Sequence, residues 1–200
     1  MRRIETARLV LEPIPLASAR ALLGGCPVTG LVAAPGWPSA DTLHGLALDV
    51  ATEDPSRTGW FVTLAGTGQV IGDCGWRGGP DCNGDAELGY GLAAPFRGFG
   101  YGTEAVGGMV RWCATQPGVL RLIAEVRPGN TPSRRLLERL GFALIEAGGE
   151  HLRYAYRVTQ DPGLARRTGQ WEAGPLTPRP GPAERSGTVR PPLAGRSFLA

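Results

Sequence analysis

Residues 87–112 read ELGYGLAAPFRGFGYGTEAVGGMVRW, and their centre, Arg97-Gly98-Phe99-Gly100-Tyr101-Gly102-Thr103-Glu104-Ala105, changes period part-way through. Up to Ala93 the apolar residues alternate like a strand, and from Gly102 they recur at helical spacing to residue 116. Three glycines at every second position between the two leave backbone N–H groups open to close approach. Those donors, the positive end of the following helix and the Arg97 guanidinium make an anion site suited to a diphosphate. A tight strand-to-helix turn would call for the same glycines. Gly100–Ala105 also fits the dinucleotide pattern G-x-G-x-x-G/A, with Glu125 twenty residues beyond Ala105.

Outward from this stretch, the chain reads as α+β. Residues 8–14 alternate as a strand stopped by Pro13 and Pro15. Residues 16–23 and 39–51 favour helix, with Ser39 opening the second. WFVTLA (60–65), QVIGDCGW (69–76) and AELGYGLA (86–93) predict a three-strand antiparallel meander. RLIAEV (121–126) is a strand and TPSRRLLERL (131–140) a short helix, with Thr131 as the expected N-cap and Pro132 as its first residue. Residues 142–145 and 151–158 complete the strands. A meander before the glycine loop, and too few βαβ units after it, weigh against a doubly wound dinucleotide fold.

Composition narrows the chemistry. The chain has 200 residues, 42% hydrophobic and 20% charged, which suits one domain. It contains no lysine, so Walker-type phosphate loops, Schiff-base catalysis and kinase chemistry are excluded. The net charge of +3 resides in residues 159–200, leaving 15 basic against 15 acidic residues before them. No field draws in nucleic acid or an anionic membrane. That last stretch lacks apolar periodicity and is expected to be disordered, so the folded domain is expected to span 1–158. Glu5, Arg8 and Glu12 interrupt any leading apolar run, so neither signal peptide nor membrane span is expected, and the location read is cytoplasmic. Cys26, Cys74, Cys82 and Cys113 form no CxxC pair and the histidines are His44 and His151, so no metal site is expected.

The blocks at 87–112 and RLIAEVRPGNTPSRRLLERLGF (121–142) together resemble the GNAT superfamily of N-acetyltransferases, in the branch containing ribosomal-protein N-terminal acetyltransferases. Arg97-x-x-Gly100-x-Gly102 is similar to that superfamily's acetyl-CoA motif, and GN-TPS-…-LGF to the branch's pattern. ETARLVLEP (5–13) and VIGDCGW (70–76) extend the resemblance over residues 4–158. It implies a mixed, mostly antiparallel sheet flanked by helices and splayed between 86–93 and 120–127 to hold acetyl-CoA. It implies pyrophosphate on Gly98, Phe99, Gly100, Tyr101, Gly102 and Thr103, with Arg97 adding charge. A strand N–H near Leu92 or Ala93 would polarise the thioester, and Asn130 would contact the cofactor or tie its loop. Ser133 is the general-acid candidate, although it also suits a first-turn helix serine. Glu87 is the candidate to take the amine proton, although a strand-pairing glutamate reads the same way. Glu104 is assigned only to the helix dipole. Trp37, His44, Trp60 and Tyr90 are candidates to line an acceptor pocket, or to pack the core.

The implied activity is direct acetyl transfer to a primary amine without metal, the acceptor being a protein N-terminal amine or, alternatively, a small-molecule amine or antibiotic. A homodimer is implied by the resemblance alone. A CoA-binding module without turnover and an NAD-dependent oxidoreductase are the readings from other classes. Cysteine relay is not favoured, because neither Cys74 nor Cys113 has a histidine close in sequence. Truncation after residue 158 is expected to leave the thermal midpoint nearly unchanged; a large drop in a thermal melt would show that the tail docks.

Overall fold

A computed structural model describes residues 3–53 and 58–158; the tail at 159–200 lies outside them. In chain order the elements are β1 (Ile4–Glu5), β2 (Leu9–Pro13), α1 (Leu16–Leu23), β3 (Val32–Ala33), α2 (Ala40–Thr52), β4 (Thr58–Leu64), β5 (Gln69–Trp76) and β6 (Asp85–Leu92). There follow α3 (Tyr101–Ala114), β7 (Arg121–Val126), α4 (Thr131–Arg139), β8 (Ala143–Gly148) and β9 (His151–Arg157). The strands run β1-β2-β4-β5-β6-β7-β9-β8 across one sheet, with β3 added beside β5. Only β3–β5 and β6–β7 pair parallel among the described strands; the rest are antiparallel. This is the mixed, mostly antiparallel α+β sheet expected, and it lacks the successive parallel strands of a dinucleotide half. The two-residue strands β1 and β3 were not anticipated, since two residues carry no period.

Successive side chains of the central strands β4–β6 point to opposite faces, and both faces of these strands are covered. Trp60, Cys74 and Tyr90 are cross-strand partners, and so are Trp76 and Leu88. This side packs against α3, where Trp112 sits 5.0 Å from both the Trp60 and Trp76 ring centroids. Val106, Met109 and Cys113 of α3 are fully buried beneath them. The opposite side carries Phe61, Asp73 and Gly91 in register, and Trp37 meets Phe61 edge-on at 5.8 Å. Here α2 covers the sheet, capped at its start by Ser39, whose side chain accepts from the Thr42 amide.

Between β6 and β7 the sheet comes apart. Register holds only for Asp85–Glu87 against Arg121–Ile123, and beyond that point the strands diverge. The closed end is pinned by a bidentate pair, Arg121 Nε to Asp85 Oδ1 and Nη2 to Asp85 Oδ2, each 2.6 Å. Next to it, the Gly84 carbonyl accepts from the amides of Leu120 and Arg121. Gly84 has φ 76°, and a Cβ there would stand 2.6 Å from Leu120 Cγ and 2.9 Å from the Gly118 carbonyl oxygen. Both conformation and space demand glycine. Gly84→Ala is therefore expected to destabilise the fold by about 2 kcal/mol, a fall of roughly 4–8 °C in the melting temperature; an unchanged melt would remove Gly84 from the pin.

Candidate functional site

The chain leaves β6 through a 3-10 turn at Ala94–Phe96 and enters α3 by way of Arg97–Gly100. Gly98 and Gly100 sit at φ 84° and 82°, the left-handed region that glycine supplies without strain. The first α3 hydrogen bond runs from the Glu104 amide to the Gly100 carbonyl at 3.0 Å. The amides of Tyr101, Gly102 and Thr103 therefore precede the helical ladder, at the helix's positive end. No side chain caps this end, and the space beside Gly98 is open. Arg97 is exposed, its Nε donating to the Leu92 carbonyl at 2.9 Å. A phosphate-bearing group fits this loop: donors at a bare helix start, with an arginine beside them.

The same loop is clamped from the start of the chain, which the sequence did not reveal. Arg8 Nε pairs with Glu104 Oε2 at 2.7 Å, Arg8 Nη1 donates to the Phe99 carbonyl at 3.1 Å, and the guanidinium lies 4.4 Å over the Tyr101 ring. Thr6 Oγ1 donates to Glu104 Oε1 at 2.7 Å, and the Arg8 amide donates to the same oxygen at 2.6 Å. Partial burial works to raise the Glu104 carboxyl, but the bonds from Thr6 and Arg8 outweigh it and hold the group below the usual range. Glu104 thus does more than complement the helix dipole. It ties β1–β2 to the loop across more than ninety residues of chain.

Strand parity decides which β6 backbone groups face the opening. The Ala93 amide donates to the Ile71 carbonyl at 2.8 Å and the Arg77 amide to the Glu87 carbonyl at 2.9 Å, so odd residues of this segment bond toward β5. Even residues turn the other way, which sends the backbone of Leu88, Tyr90 and Leu92 into the gap left by β7. Of the two amides expected to serve as donor, Ala93 is committed to β5 and Leu92 faces the gap.

Across that gap lies Ser133 on α4. It is 6% exposed and its Oγ stands 2.5 Å from the Tyr90 hydroxyl. Its amide donates to Asn130 Oδ1 at 3.1 Å, which makes Asn130 the N-cap of α4. The expected cap, Thr131, instead occupies the first helical position. Asn130 wins because its carboxamide oxygen reaches the third amide of the helix, the usual capping geometry. Asn130 therefore anchors the first turn of α4. Burial pushes the Tyr90 phenol above its ordinary value, while its hydrogen bond with Ser133 pulls the other way.

The α2 side of the sheet carries a different set. Glu87 pairs with Arg77 Nη1 at 3.0 Å directly across β5–β6. Gly59, Gly75 and Gly89 lie in register on β4, β5 and β6 and floor a cleft also lined by Thr42, Asp49, Asp73 and Arg77. None of the three has positive φ, so it is the missing side chain that the cleft uses. Asp73 Oδ1 accepts from Trp37 Nε1 at 2.8 Å and from Thr42 Oγ1 at 2.6 Å. Of the aromatic candidates, Trp37 serves Asp73, Trp60 packs on Trp112, Tyr90 meets Ser133 and His44 is exposed; Trp76 borders the cleft while its ring packs on Trp112 on the other face. Cys74 and Cys113 are buried and burial pushes both thiols well up, which removes a ready thiolate. Among the described residues no cluster of metal-ligating side chains occurs, and no helix is long and apolar enough to cross a membrane.

Known proteins share this architecture. The family described as Acetyltransferase (GNAT) domain matches residues 8–143. The N-acetyltransferase YjdG of Bacillus subtilis is 26% identical over 125 residues, 60% of this chain and 74% of that protein. A solved acetyltransferase of Agrobacterium tumefaciens superposes with a TM-score of 0.56 at 26% identity, covering 78% of this chain and 95% of the other. RimJ of Mycobacterium smegmatis, solved in complex with CoA-disulfide, shares the fold with a TM-score of 0.57 at 23% identity, covering 80% and 90%.

Asp73 yields a pH prediction. Burial raises its carboxyl to about 6, against the ordinary aspartate value near 3.8. Between those values the folded protein binds more protons than the unfolded chain, so stability is greatest below the lower one and is lost as pH rises through about 6. The loss amounts to roughly 3 kcal/mol. Asp73→Asn keeps an acceptor for Trp37 and Thr42 without the charge, and thermal melts from pH 4 to 7 (roughly the window bounded by these values) should show the wild-type decline abolished. An equal decline in the variant would assign it elsewhere.

Proposed function

The chain belongs to the GNAT acetyltransferase family, whose members are acyltransferases, and on that premise we propose that it transfers acetyl from acetyl-CoA directly to a primary amine. The observation that carries this reading is the Leu92 amide turned into the β6–β7 gap, one strand end away from the bare start of α3. When bound, acetyl-CoA supplies an activated acyl carbonyl on a thiol leaving group. The amides of Gly98–Thr103, with Arg97, hold its pyrophosphate at the positive end of α3. The Leu92 N–H meets the oxygen on which negative charge develops, a contact commonly worth ~10²–10³ in rate. Ser133 Oγ–H faces the departing sulfur, and Glu87 takes the amine's proton directly or through water. Asn130 keeps Ser133 in position by capping α4.

The acceptor enters from the α2 side. Glu87 and Asp73 point to this face, and the cleft beside them offers Asp49 and Asp73 to a cationic amine over a floor without side chains. Such a trough suits a slender chain led by its amino group. A protein N-terminus has this shape. The protein acts without metal, on soluble acceptors rather than nucleic acid.

Calorimetric titration tests the reading. Acetyl-CoA is expected to bind and NADH to give no heat. Arg97→Ala should weaken acetyl-CoA by about 10- to 100-fold, through loss of one charge-assisted contact. A panel of peptides with free N-termini should then release CoA, whereas turnover confined to small amines would reassign the acceptor. NADH binding in place of acetyl-CoA would overturn the proposal.

A further inference from the structure

The hydrogen bond between Tyr90 and Ser133 spans the opening. Tyr90 belongs to β6, the strand whose even residues turn their backbone into the gap, and Ser133 to the first turn of α4 on the far side. Their oxygens are 2.5 Å apart, both residues are buried, and the Tyr90 hydroxyl also lies 3.5 Å from the Ser133 carbonyl oxygen. A serine hydroxyl has one hydrogen to give and rotates freely until something fixes it. With the Ser133 amide already bound to Asn130, the hydroxyl is oriented by Tyr90, the side chain that meets it among the described residues.

We propose that Tyr90 is a positioning residue for acetyl transfer: its hydroxyl donates to Ser133 Oγ and thereby directs the serine hydrogen at the sulfur of the bound thioester. This rests on the acetyl-transfer reading above and adds a residue to it. A phenol is the better donor of the pair, because its ring withdraws the lone pair that an acceptor needs. Burial keeps the phenol protonated, so Tyr90 acts by donating a hydrogen bond and does not give up its proton. As the carbon–sulfur bond breaks, the electron pair stays on sulfur. The Ser133 hydroxyl donates a hydrogen bond to it, strengthened by the Tyr90 bond, and the proton that completes the thiol is the one the amine releases through Glu87, so Oγ keeps its own hydrogen. Tyr154 on β9 is the other phenol near enough to bear electrostatically on Tyr90, and its hydroxyl is engaged with Glu138 and Arg134.

The test needs no acceptor. The thiol of CoA bound to the wild-type protein is titrated by its ultraviolet thiolate absorbance, with the desulfo-CoA complex subtracted to remove the protein's own cysteines. It should ionise at lower pH than free CoA. Tyr90→Phe should raise the bound thiol's midpoint by about one pH unit, the size of one hydrogen bond to a charged group. Ser133→Ala should raise it at least as far, and the double variant no further than Ser133→Ala alone. Tyr154→Phe, which also removes a buried phenol hydroxyl, should leave the midpoint in place. With any acceptor that turns over, Tyr90→Phe should lower kcat about tenfold at unchanged KM for acetyl-CoA. A fluorotyrosine at position 90, a stronger donor of nearly the same shape, should move the midpoint down and serves if Tyr90→Phe does not fold. A Tyr90→Phe protein that binds CoA and titrates as wild type would overturn the role of Tyr90 alone. Wild-type protein that binds no CoA would overturn the acetyl-transfer reading beneath it.

Discussion

Three residues of shared register between β6 and β7, and no more, are the constraint on which the site depends. A strand inside a sheet normally satisfies both of its edges, and a buried backbone group left without a partner is costly. Past Glu87, β6 keeps its β5 edge and loses the other, so alternate amides and carbonyls are presented to whatever fills the wedge. The Asp85–Arg121 pair and the Gly84 turn fix where the parting begins. Arg97 already takes one of the released carbonyls, that of Leu92, which folds the loop back toward the strand it leaves. The opening is thus a consequence of pairing arithmetic, and the ligand-facing groups are those that parity selects.

The two faces of the sheet divide the labour. On one, Trp60, Trp76 and Trp112 form a dense aromatic block that seats α3, so that its N-terminus stands at the end of β6. Rigid packing there gives the glycine loop a fixed origin. On the other, carboxylates and glycines lie beside the Trp37–Phe61 pair, and a buried aspartate is held by an indole and a hydroxyl. The helix α3 and the cleft beside α2 thus lie on opposite faces of the sheet.

How much of this was legible depended on sequence distance. The glycine loop, the meander and the helices are local patterns of period and punctuation, and residues 60–65, 69–76, 86–93, 121–126 and 131–140 all appear as the elements expected of them, to within two residues. The splay followed from resemblance rather than from any local pattern. The Arg8–Glu104 clamp was invisible because its partners are 96 residues apart and each alone is an ordinary surface charge. Tyr90 was legible as an aromatic on a strand, and its meeting with Ser133 was not, since 43 residues and a parallel crossover intervene. The choice between Leu92 and Ala93 needed the register with Ile71, which no spacing within one strand supplies. Asn130 displaced Thr131 as the cap because both residues cap well, and only the backbone shows which of them precedes the first turn.

The glycines at 59, 75 and 89 come from three separate strands but occupy one line across the sheet. At position 59 a Cβ would already stand 3.3 Å from Ile14 Cδ1 and 3.5 Å from Asp49 Oδ2, so the glycine there is held by the packing of the cleft wall. The floor of the cleft is thereby set by three separate stretches of the sequence, of which residue 89 lies on the β6 segment that borders the wedge.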